Sequence, residues 1–420
     1  MGELLLGASI LVFVARLLLG RTRLRRTGVD APILAFAVWT LLSAAFSPDP
    51  LRSHESAKKL LLLLLFYVAV DALAHPLVRE RVLAALAAAG LALAAGGLLQ
   101  YFWLGFDTMD RRPSSFLGHY MTASGLLMTI LVFCSARLAF LDRPPALPEA
   151  RDVRLAAGLV ALVAAMTLLQ KADLFAVEAE RMAVVLLAGL AMALTLTGRD
   201  WPTPATGAWL SFLAAGLSAW ALLVSRTRGA WLGALAGLGL VVLLRAPRAL
   251  WLLPAAVGAV LLLGPAPVMD RLTLRDASSR DRYYMWQAGI DMIRDKPVFG
   301  QGPRMVETLY PRYRWQGAPT AQAPHLHNNA LQIAAERGLP GLALWTWWMA
   351  AALAQAVRLV RGAAGRGAAR AAGVASLASL VALMVAGLFE YNFGDSEVLI
   401  LTLVVSALPF AAERAPEPLT

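Results

Sequence analysis

"APHLHNNALQIAAERGLPG", residues 323–341, carries two histidines, two asparagines and a glutamate directly into an apolar segment, 339–360, long enough to cross a bilayer. Reading that second half as a membrane helix decides the fold, because the pattern recurs along almost the whole chain. Of the 420 residues, 59% are hydrophobic and 15% charged, and the mean hydropathy is +0.63. A soluble domain of this size does not have that composition. Leu and Ala dominate the apolar runs, which favours helices over a barrel. Run length predicts spans at about 3–19, 31–47, 59–74, 83–104, 118–140, 155–171, 182–198, 206–224, 229–244, 249–264, 339–360, 371–390 and 395–412. The first lacks both a basic stretch before it and a small-residue cleavage site after it, so it reads as a retained helix. The lone Cys134 excludes a disulfide framework and a cysteine-based metal site. The net charge of +11 belongs on cytoplasmic loops rather than against nucleic acid.

The connectors orient these spans. "RTRLRR" (21–26), "HPLVRER" (75–81), "LDRPPALPEARDVR" (141–154), "RAPR" (245–248) and "RLVRGAAGRGAAR" (358–370) all fall on one side if the spans alternate. The positive-inside rule makes that side cytoplasmic. The other side receives "GFDTMDRRPSS" (105–115), "SRTRG" (225–229), "EYNFGDSE" (390–397) and one long connector, 265–338. The expected organisation is therefore membrane helices over 1–264, an extramembrane loop domain over 265–338 and C-terminal membrane helices over 339–420. A loop of that length in a compact protein is usually functional.

Five clusters on that outer side carry hydrogen-bonding chemistry. In "HNNALQIAAERG", Asn329 followed by Gln332 predicts a capping box, with His327 just ahead of a short helix that Gly338 ends. The positive end of such a helix favours a neutral imidazole, which can act as a general base. His325 and His327 serve equally well as plain interfacial hydrogen-bonding groups on spacing alone. Zinc is disfavoured there, because two ligands are too few and no further His or Cys lies nearby in sequence. In "SRTRGAWLG" (225–233), Arg228 sits at a helix N-terminus, where the dipole repels a cation unless an anionic ligand compensates; snorkelling is the alternative. "MDRLTLRDASSRDRYYMWQAGIDMIRDKPVFGQGP" opens the long connector. Trp286, Ile290 and Ile293 there predict an amphipathic helix on or near the membrane, with Arg280 and Arg282 at its entrance. "RRPSSFLGHYMTAS" (111–124) adds Arg112 and His119. "GLFEYNFGDSEVLI" (387–400) places Glu390, Asn392 and Asp395 between two apolar helices, where pairing with the arginines is the expected role.

Together these segments resemble the O-antigen ligase and polymerase superfamily of bacterial inner-membrane glycosyltransferases. His327-Asn328, nine residues, then Gly338-Leu339-Pro340-Gly341 match its H-N-x9-G-x-x-G pattern. "SRTRGAWLG" resembles its "SRGAWLG" helix start, "RYYMWQAGIDMIRDKPVFGQGP" its arginine and tryptophan segment before a G-x-G turn, and "RPSSFLGHYMTAS" its first outer loop. The resemblance runs from about residue 105 onward and departs from the pattern in two extra spans at 155–198. It implies an all-α, GT-C-like polytopic fold of about 12–13 membrane helices with one large periplasmic loop. It also implies an inverting transfer, without cofactor or metal, of a glycan from undecaprenyl pyrophosphate to a periplasmic-face acceptor. By the same resemblance His327 matches the base, Arg228, Arg282 and Arg112 the pyrophosphate-binding arginines, and Arg280, Asn328, His325 and Glu336 are supporting candidates. Lipid A-core is the first expected acceptor. A glycan repeat, a protein hydroxyl, or transport of a lipid-linked glycan without chemistry are the alternatives.

Overall fold

The computed structural model describes residues 2–22, 26–141, 204–252, 277–362 and 367–413, with isolated positions between 150 and 163. Every regular element among them is helical. In chain order these are α1 (Gly2–Leu18), α2 (Asp30–Ala45), α3 (Pro50–Ala57), a 3₁₀ segment (Lys58–Leu63), α4 (Leu64–Ala74), α5 (Pro76–Trp103) and α6 (Tyr120–Ala139). Then follow α7 (Pro204–Val224), α8 (Arg228–Arg245), a 3₁₀ segment (Pro247–Leu252), α9 (Ala277–Asp295), α10 (Met305–Tyr313), α11 (Asn329–Gly362), α12 (Gly367–Ala386), a 3₁₀ turn (Asn392–Gly394) and α13 (Ser396–Ala412). Among the described residues five helices, α5 to α8 and α12, are long and apolar enough to cross a membrane, making this a multi-pass membrane protein. The expected span 182–198 and most of 155–171 and 249–264 lie outside the described residues, as do Arg271 and Arg275.

Two expected boundaries move. The span expected at 59–74 begins as a 3₁₀ segment of 6 residues before the 11 residues of α4. The 3₁₀ rise of about 2.0 Å per residue, against about 1.5 Å in an α-helix, stretches the pair to about 28 Å, close to the hydrocarbon thickness. The "HPLVRER" connector is mostly helix: His75 is the N-cap and Pro76 occupies the first turn of α5, where its missing N–H costs nothing.

Alternation holds through the described helices. The Lys59 ammonium reaches the Gly394 carbonyl at 2.8 Å, fixing the start of the 3₁₀ segment beside the head of α13. At the other end, Arg16 at the tail of α1 pairs with Asp71 at 3.9 Å. There also the buried Arg137 at the tail of α6 reaches Glu80 in α5 at 2.5 Å and the Ser211 hydroxyl of α7 at 3.3 Å. Arg245, bonded to the Ala139 carbonyl at 2.8 Å, Arg370 over the Phe140 ring and Arg358 near Gly28 belong to the same end, while Thr227 beside Ser124, and His119, His327 and Glu390 around His325, stand at the opposite one. In the interior, α8 lies against α6 and α12, and a side chain at Gly237 would meet Val132 and, at 2.9 Å, the Ala378 carbonyl. Small residues let apolar helices approach this closely.

The long connector builds a core of its own. The face of α9 that turns inward is Met285, Ala288 and Met292, which join Met305, Val306, Leu309, Tyr310, Ala323, Leu326 and Ala335. The expected stripe of Trp286, Ile290 and Ile293 is therefore one position out of register. Its owners are only partly buried, because the face of α9 beside theirs is the one that the loop's own interior covers. That interior docks on α11 where the helix kinks at Gly338 (φ 70°, ψ 177°). The last carbonyls of the first arm of α11 accept from the Gln301 amide (to Ala335, 2.8 Å), the Gly302 amide and Ser43 hydroxyl (to Glu336, 2.8 Å each) and the Trp39 indole (to Arg337, 2.8 Å). The "GQG" turn is thus the C-cap of the short helix.

Candidate active site

The His327 segment is pinned between two elements distant in sequence. Asn328 caps α11, its side-chain oxygen accepting from the Leu331 amide at 2.9 Å and its side-chain nitrogen donating to the Leu388 carbonyl at 2.9 Å. The cap is therefore Asn328, one residue before the expected Asn329. Asn329 is buried instead, its amide donating to the Gly387 carbonyl at 2.7 Å and its side chain to Asn392 at 2.6 Å, while its oxygen accepts from the Phe393 amide at 3.2 Å. Gln332 accepts from the Leu326 amide at 2.8 Å, and the Trp286 indole of α9 donates to the Leu326 carbonyl at 3.0 Å. These bonds press the histidine segment onto the α12–α13 connector from one side and onto α9 from the other.

The result is a cluster around one carboxylate. His327 Nδ1 lies 3.0 Å and 3.1 Å from the two Glu390 oxygens, His325 Nδ1 lies 3.6 Å from Oε1, and Arg282 Nη2 lies 3.9 Å from Oε2. The Tyr391 amide donates to Oε1 at 3.0 Å. Burial alone raises the Glu390 carboxyl, but the His327 hydrogen bond and the charges of His327, His325 and Arg282 outweigh it and bring it down to about 2. Burial dominates at His325, pushing that ring down to about 4 against the pull of Glu390. An ionised carboxylate only accepts, so His327 Nδ1 must carry the proton, and in the neutral ring Nε2 is then the lone-pair nitrogen. His327 holds φ at 51°. This left-handed backbone costs about 1–3 kcal/mol in a residue with a side chain and persists only where its surroundings over-determine it.

Of the residues singled out in the sequence, the structure brings Arg282, His325 and His327 onto Glu390. Arg228 opens α8 at the same end: Thr227 beside it meets the Ser124 hydroxyl at 3.0 Å, and Gly229 abuts Phe389, the neighbour of Glu390. Arg112 lies on the preceding outer segment, its guanidinium 3.4 Å over the Tyr120 ring and its Nε donating to Met109 at 3.1 Å. His119, next to Tyr120, is near enough for its charge to act on His325. Arg280 is exposed in the first turn of α9. Glu336 belongs elsewhere: buried, with its carboxyl raised by that burial, it bonds Gln332 at 2.8 Å, Arg337 at 2.9 Å and the Arg304 amide at 2.9 Å, and so anchors the kink. Glu390 was expected to pair with an arginine and does so, but its closer partner is His327.

Against known families, residues 213–346 match the one described as O-antigen ligase (Wzy_C). The match contains Arg228, Arg282 and His327, while Glu390 and Arg112 lie outside it. No curated protein matches the chain.

Proposed function

We propose that this chain, a membrane glycosyltransferase of the O-antigen ligase and polymerase type by its family match over residues 213–346, moves a glycan from undecaprenyl pyrophosphate to lipid A-core at the periplasmic face of the bacterial inner membrane. The observation that carries this reading is the bond from His327 Nδ1 to a carboxylate that Arg282 also faces. Glu390 orients the ring and stabilises the imidazolium that forms, as a buried carboxylate does for a histidine base. His327 Nε2 takes the proton of the acceptor hydroxyl, whose oxygen attacks the anomeric carbon from the face opposite the pyrophosphate. The sugar–oxygen bond breaks with its electron pair passing to the pyrophosphate, and the configuration inverts. Negative charge grows on a group already anionic, so Arg282, Arg228 and Arg112 at the same bundle end are the stabilising partners, acting near low-dielectric lipid. A guanidinium grips phosphate oxygens with paired bonds that an ammonium lacks. The arginine-rich opposite end supports a cytoplasmic assignment for that side and hence an outward-facing site.

The test is incubation of purified protein with undecaprenyl-pyrophosphate glycan and lipid A-core, free glycan repeat or peptide, without nucleotide. Glycan on lipid A-core with undecaprenyl pyrophosphate released is the expected result. Elongated lipid-linked glycan makes the chain a polymerase, glycan on peptide makes it a protein glycosyltransferase, and no release with any acceptor contradicts the transferase reading.

A further inference from the structure

The fold supplies the third ligand that the sequence lacks beside the two histidines. We propose that His325, His327 and Glu390 form a zinc-type metal site, and that a bound ion holds the transfer site shut. The three side chains offer ligand atoms that all lie within 4.8 Å of one another. The Nδ1-to-carboxylate separations are 3.0 Å for His327 and 3.6 Å for His325. A tetrahedral ion with ligands at about 2.0–2.1 Å needs ligand–ligand edges of about 3.3 Å, between those two values. The ring centroids stand 4.3 Å apart, and both Nδ1 atoms face one carboxylate, His325 its Oε1 and His327 both of its oxygens. Binding an ion takes the His325 Nδ1 lone pair that the His327 amide faces at 3.4 Å, so that long contact is given up. Side-chain exposures of 22%, 15% and 12% leave the cluster shielded yet open enough for a fourth ligand, water or a phosphate oxygen. Two imidazoles and one carboxylate suit Zn²⁺, whereas Mg²⁺ and Ca²⁺ favour all-oxygen sets.

Coordination at His327 Nδ1 shifts the ring proton to Nε2, leaving no lone pair there to accept a proton from a hydroxyl. Arg282, 3.9 Å from Glu390, opposes the incoming cation. The metal site stands on geometry alone; its closing effect rests on the proposed transfer chemistry.

The experiment is equilibrium Zn²⁺ binding to the purified full chain after chelator treatment, with a fluorescent competitor chelator and Mg²⁺ as the control ion. Saturable uptake of one Zn²⁺ per chain, none of Mg²⁺, and at least about a 10-fold loss of affinity in His325→Ala and Glu390→Gln are expected. Arg282→Gln, which removes the opposing charge, should bind zinc more tightly than wild type. Absence of saturable binding, or binding unaltered in a His325→Ala protein of wild-type thermal stability, overturns the site. Zinc should also abolish glycan transfer at the concentrations that fill the site, with recovery on chelation. Saturated zinc with unimpaired transfer overturns the closing effect and removes His327 as base, whereas no zinc binding leaves the transferase reading untouched.

Discussion

Replacing the Glu390 carboxylate with an amide separates the orientation of His327 from its presence. An amide in that place can donate to Nδ1 and so favour the wrong tautomer, with the proton on Nε2. Glu390→Gln should therefore lower kcat for transfer by about 10²-fold or more while the KM for lipid donor changes less, as read from initial rates. The cluster also sets an acid limit. His325 is held down at about 4 from the ordinary 6.5, so its contribution is complete above pH 6.5 and is lost as the pH falls towards 4. Glu390, at about 2 against 4.5, loses its contribution only below pH 4.5. Both act in one direction, and the charges facing His325 are Glu390, His327, His119 and Arg282. Thermal stability in detergent should be level above about pH 6.5 and decline below it, and His325→Gln should flatten the upper part of that decline. At this scale His327 and Arg282, which meet at Glu390, are legible as candidates because each sits in a short motif. Glu390 is 63 residues from His327. Its sole signal is a carboxylate stranded between two apolar runs, which names no partner.

At the scale of elements the molecule turns on the crossing of the "GQG" turn with the kink in α11. Gly338 has a positive φ, and a side chain there would collide with the Val298 carbonyl, while one on Gly300 would come within 2.5 Å of the Gly338 amide nitrogen. Backbone strain of this kind costs about 1–3 kcal/mol. Gly338→Ala should lower stability by at least that much, checked by thermal unfolding in detergent, and should displace His327 because the first arm of α11 carries it. The glycine spacing is visible in the sequence, but its purpose is not, since the donors that cap the first arm of α11 come from 301–302 and from α2. The inward face of α9 lies one position from the stripe the sequence predicts, for a related reason. Periodicity finds an apolar stripe, and Met285, Ala288 and Met292 form one as good as Trp286, Ile290 and Ile293; tertiary partners decide between them.

For the whole molecule, run length and basic connectors gave the alternation that the described helices follow, since hydrocarbon thickness and loop charge are properties a sequence displays directly. What a hydropathy pattern lacks is the lateral order of the helices, which puts the α12–α13 connector against the histidine segment. Cys134 is buried, so a single added cysteine reports its own side of the membrane. Gln316→Cys, on the exposed tip of the long connector, should react in intact cells with a membrane-impermeant maleimide, and Arg361→Cys only after the membrane is opened. The most direct measurement of the central claim compares glycan transfer from undecaprenyl pyrophosphate by wild type and His327→Ala, with donor binding measured on the same preparations. A base held by Glu390 predicts donor binding close to wild type and transfer reduced by at least about 10²-fold, whereas transfer by His327→Ala at the wild-type rate contradicts it.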